Sequence, residues 1–359
     1  MAKARYSAIV EKYIADINSG VLRPGDRIPS GREMKDLFGV SSIVALRVFR
    51  ILAEQGLIVL RPGEGYFVSS PGTGRKRDKI VCAFRFFKNV GGGDNFGNKI
   101  LDSIMRSAAG FHQSLVLIPS SIKLSGRYPS DDDVRQMADE IFSFRDMAGI
   151  VLDMRISDEQ IRRYILPRSE QIPVVTAGRQ SRLEIMSSAV PVWEIGVQLA
   201  KIARRAAKYF LFCSKVVPSL PDGLEMGKAF CQELEKDRAG KVLESVFIEA
   251  DRSARERCME SVAGQIRKYR GELFIACASD YCGRSIADEM SARGLEAGKD
   301  FLLTGVGGSG VNVAPEGKEL STIVLDANSI GSNAVKLLMN HGTGKVEYCS
   351  WHLECRETF

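Results

Sequence analysis

The sequence predicts two fold classes in one chain: a small α+β unit of three helices and a hairpin, then a large α/β unit. Three observations carry this prediction. At 359 residues the chain exceeds the roughly 250–300 residues that one hydrophobic core serves. From residue 79 the pattern changes to short apolar runs alternating with amphipathic stretches. Residues 1–77 hold thirteen Lys/Arg and seven Asp/Glu, whereas the remainder holds 37 of each sign. A basic unit on a neutral body is typical of proteins that bind a phosphate backbone.

Residues 1–69 are expected to form the first domain. Apolar residues recur at helical spacing over residues 5–19 and predict an amphipathic helix that stops at Gly20. The Pro/Gly-rich run that follows cannot remain helical. Ser30, with Glu33 three residues later, forms a capping-box pattern and opens a second helix that ends at Gly39.

A third helix is predicted to begin at Ser41 and to end at Gly56. The residues predicted to face the core are Val44, Val48, Ile51 and Leu52. Two β-type runs, 57–62 and 65–70, then flank a Gly-containing loop and predict a hairpin. A short helix, a glycine turn, a longer helix and a hairpin together make a winged helix-turn-helix.

Several strings in this unit carry a family resemblance. They are Pro24–Ser30, Arg32–Met34, Phe38–Ser41, Leu52–Ile58 and Gly63–Val68. Residues 5–68 thereby resemble the DNA-binding domain of GntR-type bacterial regulators. The resemblance implies that the first turn of the third helix lies in the major groove and that the hairpin approaches the minor groove. The DNA-binding residues it implies are Arg32, Ser41, Ser42, Ile43, Val44, Arg47, Arg50 and Gly65.

Two positions depart from the family pattern. The family commonly has arginine where this chain has Ser42, and a basic residue where it has Leu46. Arginine on a guanine edge contributes about 1–3 kcal/mol of discrimination. Ser42 can still bond a base edge, and Ile43 or Val44 can pack on a thymine methyl. The sequence leaves open an operator unlike the family's usual sites, affinity that depends more on phosphate contacts, or a head that no longer binds DNA.

Residues 70–78 have the composition of a flexible basic linker, and residues 79–359 predict parallel sheets covered by helices. The predicted strands are 79–86, 114–119, 149–154, 173–178, 209–214, 245–250, 273–279, 300–307 and 321–326. About 280 residues and nine strands favour two sheets over one.

The order of features in residues 79–359 resembles the sensor domain of LacI/GalR-type repressors, itself similar to periplasmic sugar-binding proteins. The matching landmarks are Asn95-Phe96, Ile172–Val175, Glu194–Gly196, Ala278–Asp280, Gly305–Gly307 and Ser321–Ile323. The resemblance implies an α/β, type I periplasmic-binding-protein-like domain whose two lobes close over a small ligand. Lobe 1 is expected at about 79–190 and 320–341, and lobe 2 at about 191–319 and 342–359.

Nine residues near predicted strand ends are the candidates for binding this effector, a sugar or related metabolite. They are Arg85, Phe86, Asn95, Phe96, Asp153, Arg155, Arg179, Trp193 and Asp280. Phe86, Phe96 or Trp193 would stack on a sugar ring, and Asp280 and Arg179 would grip hydroxyls. Leu224 and Val192 stand where the family often has an arginine and a polar residue, so the ligand is expected to differ from a common hexose.

The expected function is a DNA-binding transcriptional regulator, a homodimer controlled by this effector. The sequence has no P-loop and no nucleophile elbow, so no catalysis is expected. The eight cysteines form no CxxC pair and the three histidines lie far apart, so we expect buried thiols, no metal, no cofactor and a cytoplasmic location. No apolar run approaches the roughly 20 residues that cross a bilayer. The alternatives are a sugar-binding sensor whose head makes protein contacts and, less well supported, an α/β enzyme.

Overall fold

The computed structural model of the chain divides into two compact units, Met1–Asp78 and Lys79–Phe359. The residues that it describes are 2–54, 56–61, 63–69, 77–84, 96–122, 128–215, 222–236, 240–243, 245–248, 251–308, 310, 312–313, 317–340 and 344–359. Within these ranges no helix is both long and apolar enough to cross a lipid bilayer.

The first unit contains the three predicted helices and the predicted hairpin. Its elements are α1 (Ala2–Asn18), α2 (Gly31–Phe38), α3 (Ser42–Glu54), β1 (Ile58–Arg61) and β2 (Gly65–Val68). The capping box is confirmed, because Ser30 Oγ accepts the backbone N–H of Glu33 at 3.3 Å and the Glu33 carboxylate accepts the N–H of Ser30 at 2.5 Å. These bonds hold the pKa of Glu33 below its ordinary value. Gly39 ends α2 in the left-handed conformation, with φ 62°.

The connection between α1 and α2 contributes an unpredicted third segment to the hairpin. Its Ile28 N–H donates to the Tyr66 carbonyl at 2.7 Å, and Gly25 N–H donates to the Val68 carbonyl at 2.8 Å. The hydrophobic core lies between this small sheet and the helices. It includes Ile9, Val10, Tyr13, Ile28, Met34, Val48, Leu52, Ile58 and Val68.

The second unit contains two sheets, and all nine predicted strands are present. The strands of the first sheet are β3 (Lys79–Ala83), β4 (Ser114–Leu117), β5 (Met147–Asp153), β6 (Val174–Ala177), β7 (Met186–Ala189) and β16 (Val346–Tyr348). Their order is β16-β7-β6-β5-β3-β4, and every pairing is parallel.

The second sheet has the order β10-β8-β11-β12-β15-β17, with β9 beside β8. Its strands are β8 (Tyr209–Lys215), β9 (Lys241–Val242), β10 (Val246–Ile248), β11 (Leu273–Cys277), β12 (Leu302–Gly307), β15 (Ser321–Leu325) and β17 (Trp351–Glu354). The sheet is parallel except at its edge, where β17 runs antiparallel to β15. A short antiparallel pair, β13 (Asn312–Val313) and β14 (Lys318–Glu319), lies outside both sheets.

Helices connect these strands, as parallel pairing requires. They are α4 (Phe96–Gly110), α5 (Pro119–Ile122), α6 (Asp131–Ile141), α7 (Asp158–Gln160), α8 (Val192–Ala206), α9 (Asp222–Lys236), α10 (Arg252–Lys268), α11 (Asp280–Ser291) and α12 (Ala327–Met339). Helix α7 continues as a π-helical turn, Ile161–Ile165. Helix α12 packs on α4, and α8 packs on α9.

Each sheet with its helices forms one lobe, and the lobe boundaries differ from those expected. Strand β15 was assigned to lobe 1 but belongs to the second sheet, because it pairs with β12. Strand β16 was assigned to lobe 2 but pairs with β7 of the first sheet. The chain thus passes between the lobes three times, after β7, after β15 and after β16. We call 79–190 with 327–348 lobe 1, and 192–325 with 351–359 lobe 2.

The cysteines are less uniformly buried than expected. Cys82, Cys213, Cys277, Cys282 and Cys349 are buried, Cys231 and Cys258 are half-buried, and Cys355 is exposed. Burial raises the pKa of the Cys231 thiol. Desolvation disfavours a thiolate, and only the thiolate is strongly nucleophilic.

The close packing of α12 on α4 predicts a sharp difference between two glycines. A Cβ on Gly331 of α12 would lie 2.5 Å from the Ile100 carbonyl oxygen and 2.6 Å from Ser103 Cβ, whereas a Cβ on Gly264 of α10 has nothing within 4 Å. Gly331→Ala should destabilise the second unit by about 1–3 kcal/mol through overpacking. Gly264→Ala should stabilise it by up to about 1 kcal/mol. Denaturant unfolding of the full chain measures both, and equal effects of the two substitutions would contradict the packing described.

Candidate functional site

The first turn of α3 presents an apolar face. On the inner side of the helix, Ala45, Val48 and Leu52 are fully buried. On the outer side, Ile43 is 78% exposed and Leu46 is 61% exposed. The turn before the helix is fixed locally, because Ser41 Oγ accepts the backbone N–H of Val44 at 3.4 Å.

Most of the residues predicted to touch DNA are on the surface of the first unit. Arg32, Ser41, Ser42, Ile43, Arg47 and Arg50 are exposed. Val44 is the exception, because its side chain is half-buried and packs against the core of the unit. A thymine contact from Val44 is therefore disfavoured. Gly65 opens β2 with φ 110°, a conformation that favours glycine.

The arginines near this face make aromatic contacts within the unit. The guanidinium of Arg47 lies 4.4 Å from the ring centroid of Tyr6, on α1. The guanidinium of Arg61, in the hairpin, lies 4.3 Å from the ring centroid of Phe67. Such stacking holds a cation in place while leaving its charge in solvent. Positive charge thus flanks the apolar turn of α3 instead of projecting from it.

In lobe 1 the carboxyl ends of β3 and β5 enclose a narrow recess with a cavity volume of about 10 Å³, room for about one water molecule. It is lined by Ala83, Ser121, Pro129, Met137, Asp153, Arg155 and Ile156. Asp153 is buried, and its Oδ1 accepts the backbone N–H of Arg155 at 2.8 Å. The recess therefore offers a hydroxyl, a carboxylate and a guanidinium on an otherwise apolar wall. Asp153 and Arg155 are two of the predicted effector residues.

Arg179 adjoins this recess but is held by protein groups. Its side chain is 5% exposed; Nη2 lies 2.7 Å from Asp158 Oδ1 and donates to the Ile156 carbonyl at 2.6 Å. Burial opposes ionisation of Asp158, but the backbone N–H of Arg182 and the charge of Arg179 hold its pKa below the ordinary value. Arg179 thus anchors the loop around Asp158, and most of its donors are already in use.

Two acidic residues at the start of α9 bring lobe 2 against this network. Glu225 pairs with Arg182 of lobe 1. Burial raises the pKa of Asp222 to about 6, with Glu225 and Asp158 adding to the rise and Arg179 and Arg182 opposing it. Sequence reasoning missed Asp222 and Glu225, because nothing local to α9 indicates which loop of the other lobe it meets.

Asp280 opens α11 at the carboxyl end of β11 and is buried. Its Oδ1 accepts a hydrogen bond from Thr322 Oγ1 at 2.6 Å, and a Cβ on Gly305 or Gly307 would crowd the carboxylate. The glycines at the end of β12 thus leave room for this side chain. Asp280 lies in lobe 2 and does not line the lobe 1 recess.

The remaining effector candidates are dispersed. Trp193, at the start of α8, is 50% exposed, and Phe96, at the start of α4, packs partly on the core of the second unit. Arg85, Phe86 and Asn95 lie outside the described residues. The structure thus brings together Asp153, Arg155 and Arg179, while Trp193 and Asp280 stand at other places in lobe 2.

Comparison with known proteins identifies the first unit. Residues 5–68 match the family model described as bacterial regulatory proteins, gntR family. They form a GntR-type helix-turn-helix domain. The histidine utilization repressor of Klebsiella aerogenes is 41% identical over 66 residues, which are 18% of this chain and 27% of that protein. The chain spans only 14 to 27% of the length of the curated relatives it matches.

The second unit has the fold of LacI-type regulators and periplasmic binding proteins. A complex of the transcriptional regulator CelR with cellobiose superposes with a TM-score of 0.62 at 14% identity, covering 92% of this chain and all of that one. The lac repressor dimer bound to operator and an anti-inducer gives 0.59 at 13% identity, covering 79% of this chain and 95% of that one. The expected two-unit architecture is confirmed.

The raised pKa of the half-buried Asp222 carboxylate predicts a pH-dependent change in stability. Its pKa in the folded chain, about 6, exceeds the ordinary value of 3.8, so the folded chain loses stability as the pH rises between these values. Asp222→Asn should therefore raise the free energy of unfolding at pH 7 by about 1–3 kcal/mol. This advantage should vanish near pH 4.

Denaturant unfolding between pH 4 and pH 7 measures the difference between the two proteins. Asp132→Asn is the matched control, because the Asp132 side chain is 86% exposed and its replacement should have a small effect at either pH. An Asp222→Asn chain that is no more stable than wild type at pH 7 would show that Asp222 is solvated.

Proposed function

We propose that this chain is a transcriptional regulator that binds double-stranded DNA through residues 1–69, and whose DNA affinity a small effector controls. The observation that carries the proposal is the combination of a GntR-type helix-turn-helix domain with a LacI-type fold in one chain. Regulation of transcription without catalytic activity is part of the proposal. The relatives matched by the first unit are named as transcriptional regulators or repressors.

The DNA-binding role rests on shape and charge together. The excess positive charge of the whole chain lies within residues 1–77. Helix α3 presents its first turn to solvent. In the hairpin that follows α3 along the chain, Arg61 and Gly63 are exposed. We propose that α3 enters the major groove, that Arg32 contacts a phosphate, and that two copies of the chain bind a pseudo-palindromic site as a homodimer.

The effector is proposed to bind between the lobes, at the carboxyl ends of the strands. Asp153 and Arg155 supply polar groups from lobe 1, and Asp280 supplies a carboxylate from lobe 2. Carboxylates and a guanidinium beside apolar walls suit a ligand with several hydroxyls, and solved structures of this fold hold cellobiose and D-xylulofuranose. A sugar or related metabolite is the proposed class, with Trp193 as the stacking residue.

Control of DNA binding requires that the effector favour one arrangement of the lobes. A ligand shifts an equilibrium only by its differential affinity for the two states. The ion pair between Arg182 and Glu225 joins the lobes directly. We propose that the effector changes the lobe arrangement that this contact stabilises, and with it the spacing of the two DNA-binding units in the homodimer.

A second candidate function is a sugar-binding sensor whose first unit contacts another protein. The exposure of Ile43 and Leu46 favours this candidate, because exposed aliphatic pairs are common where proteins bind each other. The two candidates differ in electrostatics. DNA binding releases counterions, whereas an apolar protein contact does not.

Binding of the full chain to a random-sequence duplex should weaken steeply with salt. Each phosphate contact contributes about −0.9 to the slope of log K against log salt concentration. Arg32→Ala should make that slope shallower by about 0.9, the contribution of one phosphate contact. Arg135→Ala, an exposed arginine on α6 in the second unit, is the matched control and should leave the slope unchanged. Binding that does not respond to salt would favour the protein-contact function.

A sugar of the correct class should stabilise the second unit. At a concentration 100 times Kd, a ligand raises the free energy of unfolding by about 2.7 kcal/mol. Thermal unfolding of the full chain with single mono- and disaccharides measures this. Asp280→Asn should abolish the response, because an amide keeps an acceptor for Thr322 but loses the charge. DNA affinity of Asp280→Asn without sugar should equal that of wild type. A response unchanged in Asp280→Asn would place the ligand elsewhere.

A further inference from the structure

Two exposed aliphatic side chains occupy the centre of the outer face of α3. Ile43 and Leu46 are three residues apart, so they are neighbours on one face of the helix. Arg50 follows Ile43 by seven residues, two turns further along the same face. Ser42 and Arg47 lie at its edges, and Arg47 is drawn toward Tyr6. The first turn of the helix therefore presents hydrocarbon, with no charged group at its centre.

These two residues do not belong to the core of the first unit. Its core contacts on α3 are made by Ala45, Val48, Phe49 and Leu52 on the opposite side. Ile43 and Leu46 are 78% and 61% exposed, so they contribute little to folding where they stand. Single exposed apolar residues are ordinary, but two adjacent ones at the turn that enters the major groove define a chemical preference.

The major groove offers one apolar group to such a surface. Guanine, adenine and cytosine present hydrogen-bonding groups there, whereas thymine also presents its C5 methyl group. An aliphatic side chain gains from burying that methyl group and gains nothing from a guanine edge. The same helix in a protein with arginine at these positions would have the opposite preference.

We propose that Ile43 and Leu46 are the specificity-determining residues of the first unit and that they read thymine methyl groups in each half-site. This inference rests on the proposed DNA-binding function and names its sequence chemistry. Duplex DNA is the occupant because charge complements it: the six excess positive charges of the chain all lie within residues 1–77, the segment that contains this face.

The inference also assigns separate roles along α3. Ile43 and Leu46 select thymine, while Arg50, further from the start of the helix, contributes charge. Each half-site is therefore expected to hold thymine at the base pairs that face Ile43 and Leu46. Cytosine at such a position should gain affinity when methylated at C5, because 5-methylcytosine presents the same methyl group.

The experiment uses the full chain and begins with selection of duplexes from a random-sequence library. In the best selected duplex, each thymine is replaced in turn by deoxyuridine, symmetrically in both half-sites. This change removes only the C5 methyl group. At one or two thymines in each half-site, replacement should lower affinity about three- to tenfold. For the Ile43→Ala or Leu46→Ala protein, the ratio of the affinities for the thymine and deoxyuridine duplexes should approach one.

Val21→Ala is the matched control, because Val21 is 70% exposed in the same unit but lies outside α3. It should retain the full deoxyuridine effect. Thermal unfolding should show all three variants folded, since each replaces an exposed side chain. Cytosine in place of a sensitive thymine should lower affinity, and a partial recovery with 5-methylcytosine at that position would support the inference by a second route.

The outcomes separate this inference from the function on which it rests. If the chain enriches sequences but no deoxyuridine replacement matters, or the effect persists in both alanine variants, the methyl readout is overturned while DNA binding stands. If Leu46→Ala leaves DNA affinity unchanged but changes the oligomeric state, the face is a contact between copies, and the inference is again overturned. If no sequence is enriched and binding does not respond to salt, the DNA-binding function fails and the inference fails with it.

Discussion

Three crossings of the chain join the two lobes of the second unit, and they lie side by side. The backbone N–H of Cys349 donates to the Ala189 carbonyl at 2.9 Å, and that of Asp326 donates to the Ser350 carbonyl at 3.0 Å. Ser350 Oγ also lies 3.2 Å from Asp326 Oδ2. These bonds bind the crossings into one seam. Three short connections that are hydrogen-bonded side by side favour rotation of the lobes about this line over sliding.

Away from the seam, one ion pair stabilises the contact between the lobes and one partly buried carboxylate destabilises it. The Arg182–Glu225 pair favours the observed arrangement, but exposed ion pairs contribute little, about 0–1 kcal/mol. Burial of Asp222 opposes it at neutral pH, since its pKa is raised to about 6. The charged groups of this contact therefore do not strongly stabilise the observed arrangement at neutral pH. A lobe arrangement that its ion pairs do not fix can be shifted by effector binding, as the proposed control requires.

Sequence patterns predicted the regular elements well and the tertiary contacts poorly. Nine strands were identified because each is a short apolar run bounded by turn residues. Strand β7 was missed because its Ser187 and Ser188 resemble a loop; in the structure both are buried, and Ser188 Oγ donates to the Ile330 carbonyl at 2.7 Å. The exchange of β15 and β16 between lobes was also missed, because the pairing partner of a strand is not encoded in the strand itself.

The same distinction holds for the functional residues. Helical spacing places Val44 on the core side of α3, where the structure half-buries it, and leaves Ile43 and Leu46 exposed on the other side. Asp153 and Arg155 were predictable as residues that follow a parallel strand. Asp222 was not, because its environment is built by Asp158, Arg179 and Arg182 from the other lobe.

Effector binding and DNA binding are proposed to be coupled in this chain, and coupling between two binding sites is reciprocal. The most direct measurement is therefore the effector's Kd for the full chain, determined by calorimetry with and without a saturating selected duplex. The duplex should change the effector's Kd by the same factor by which the effector changes the duplex's Kd, typically about 5- to 150-fold. An effector that binds free and DNA-bound protein with equal affinity would contradict it.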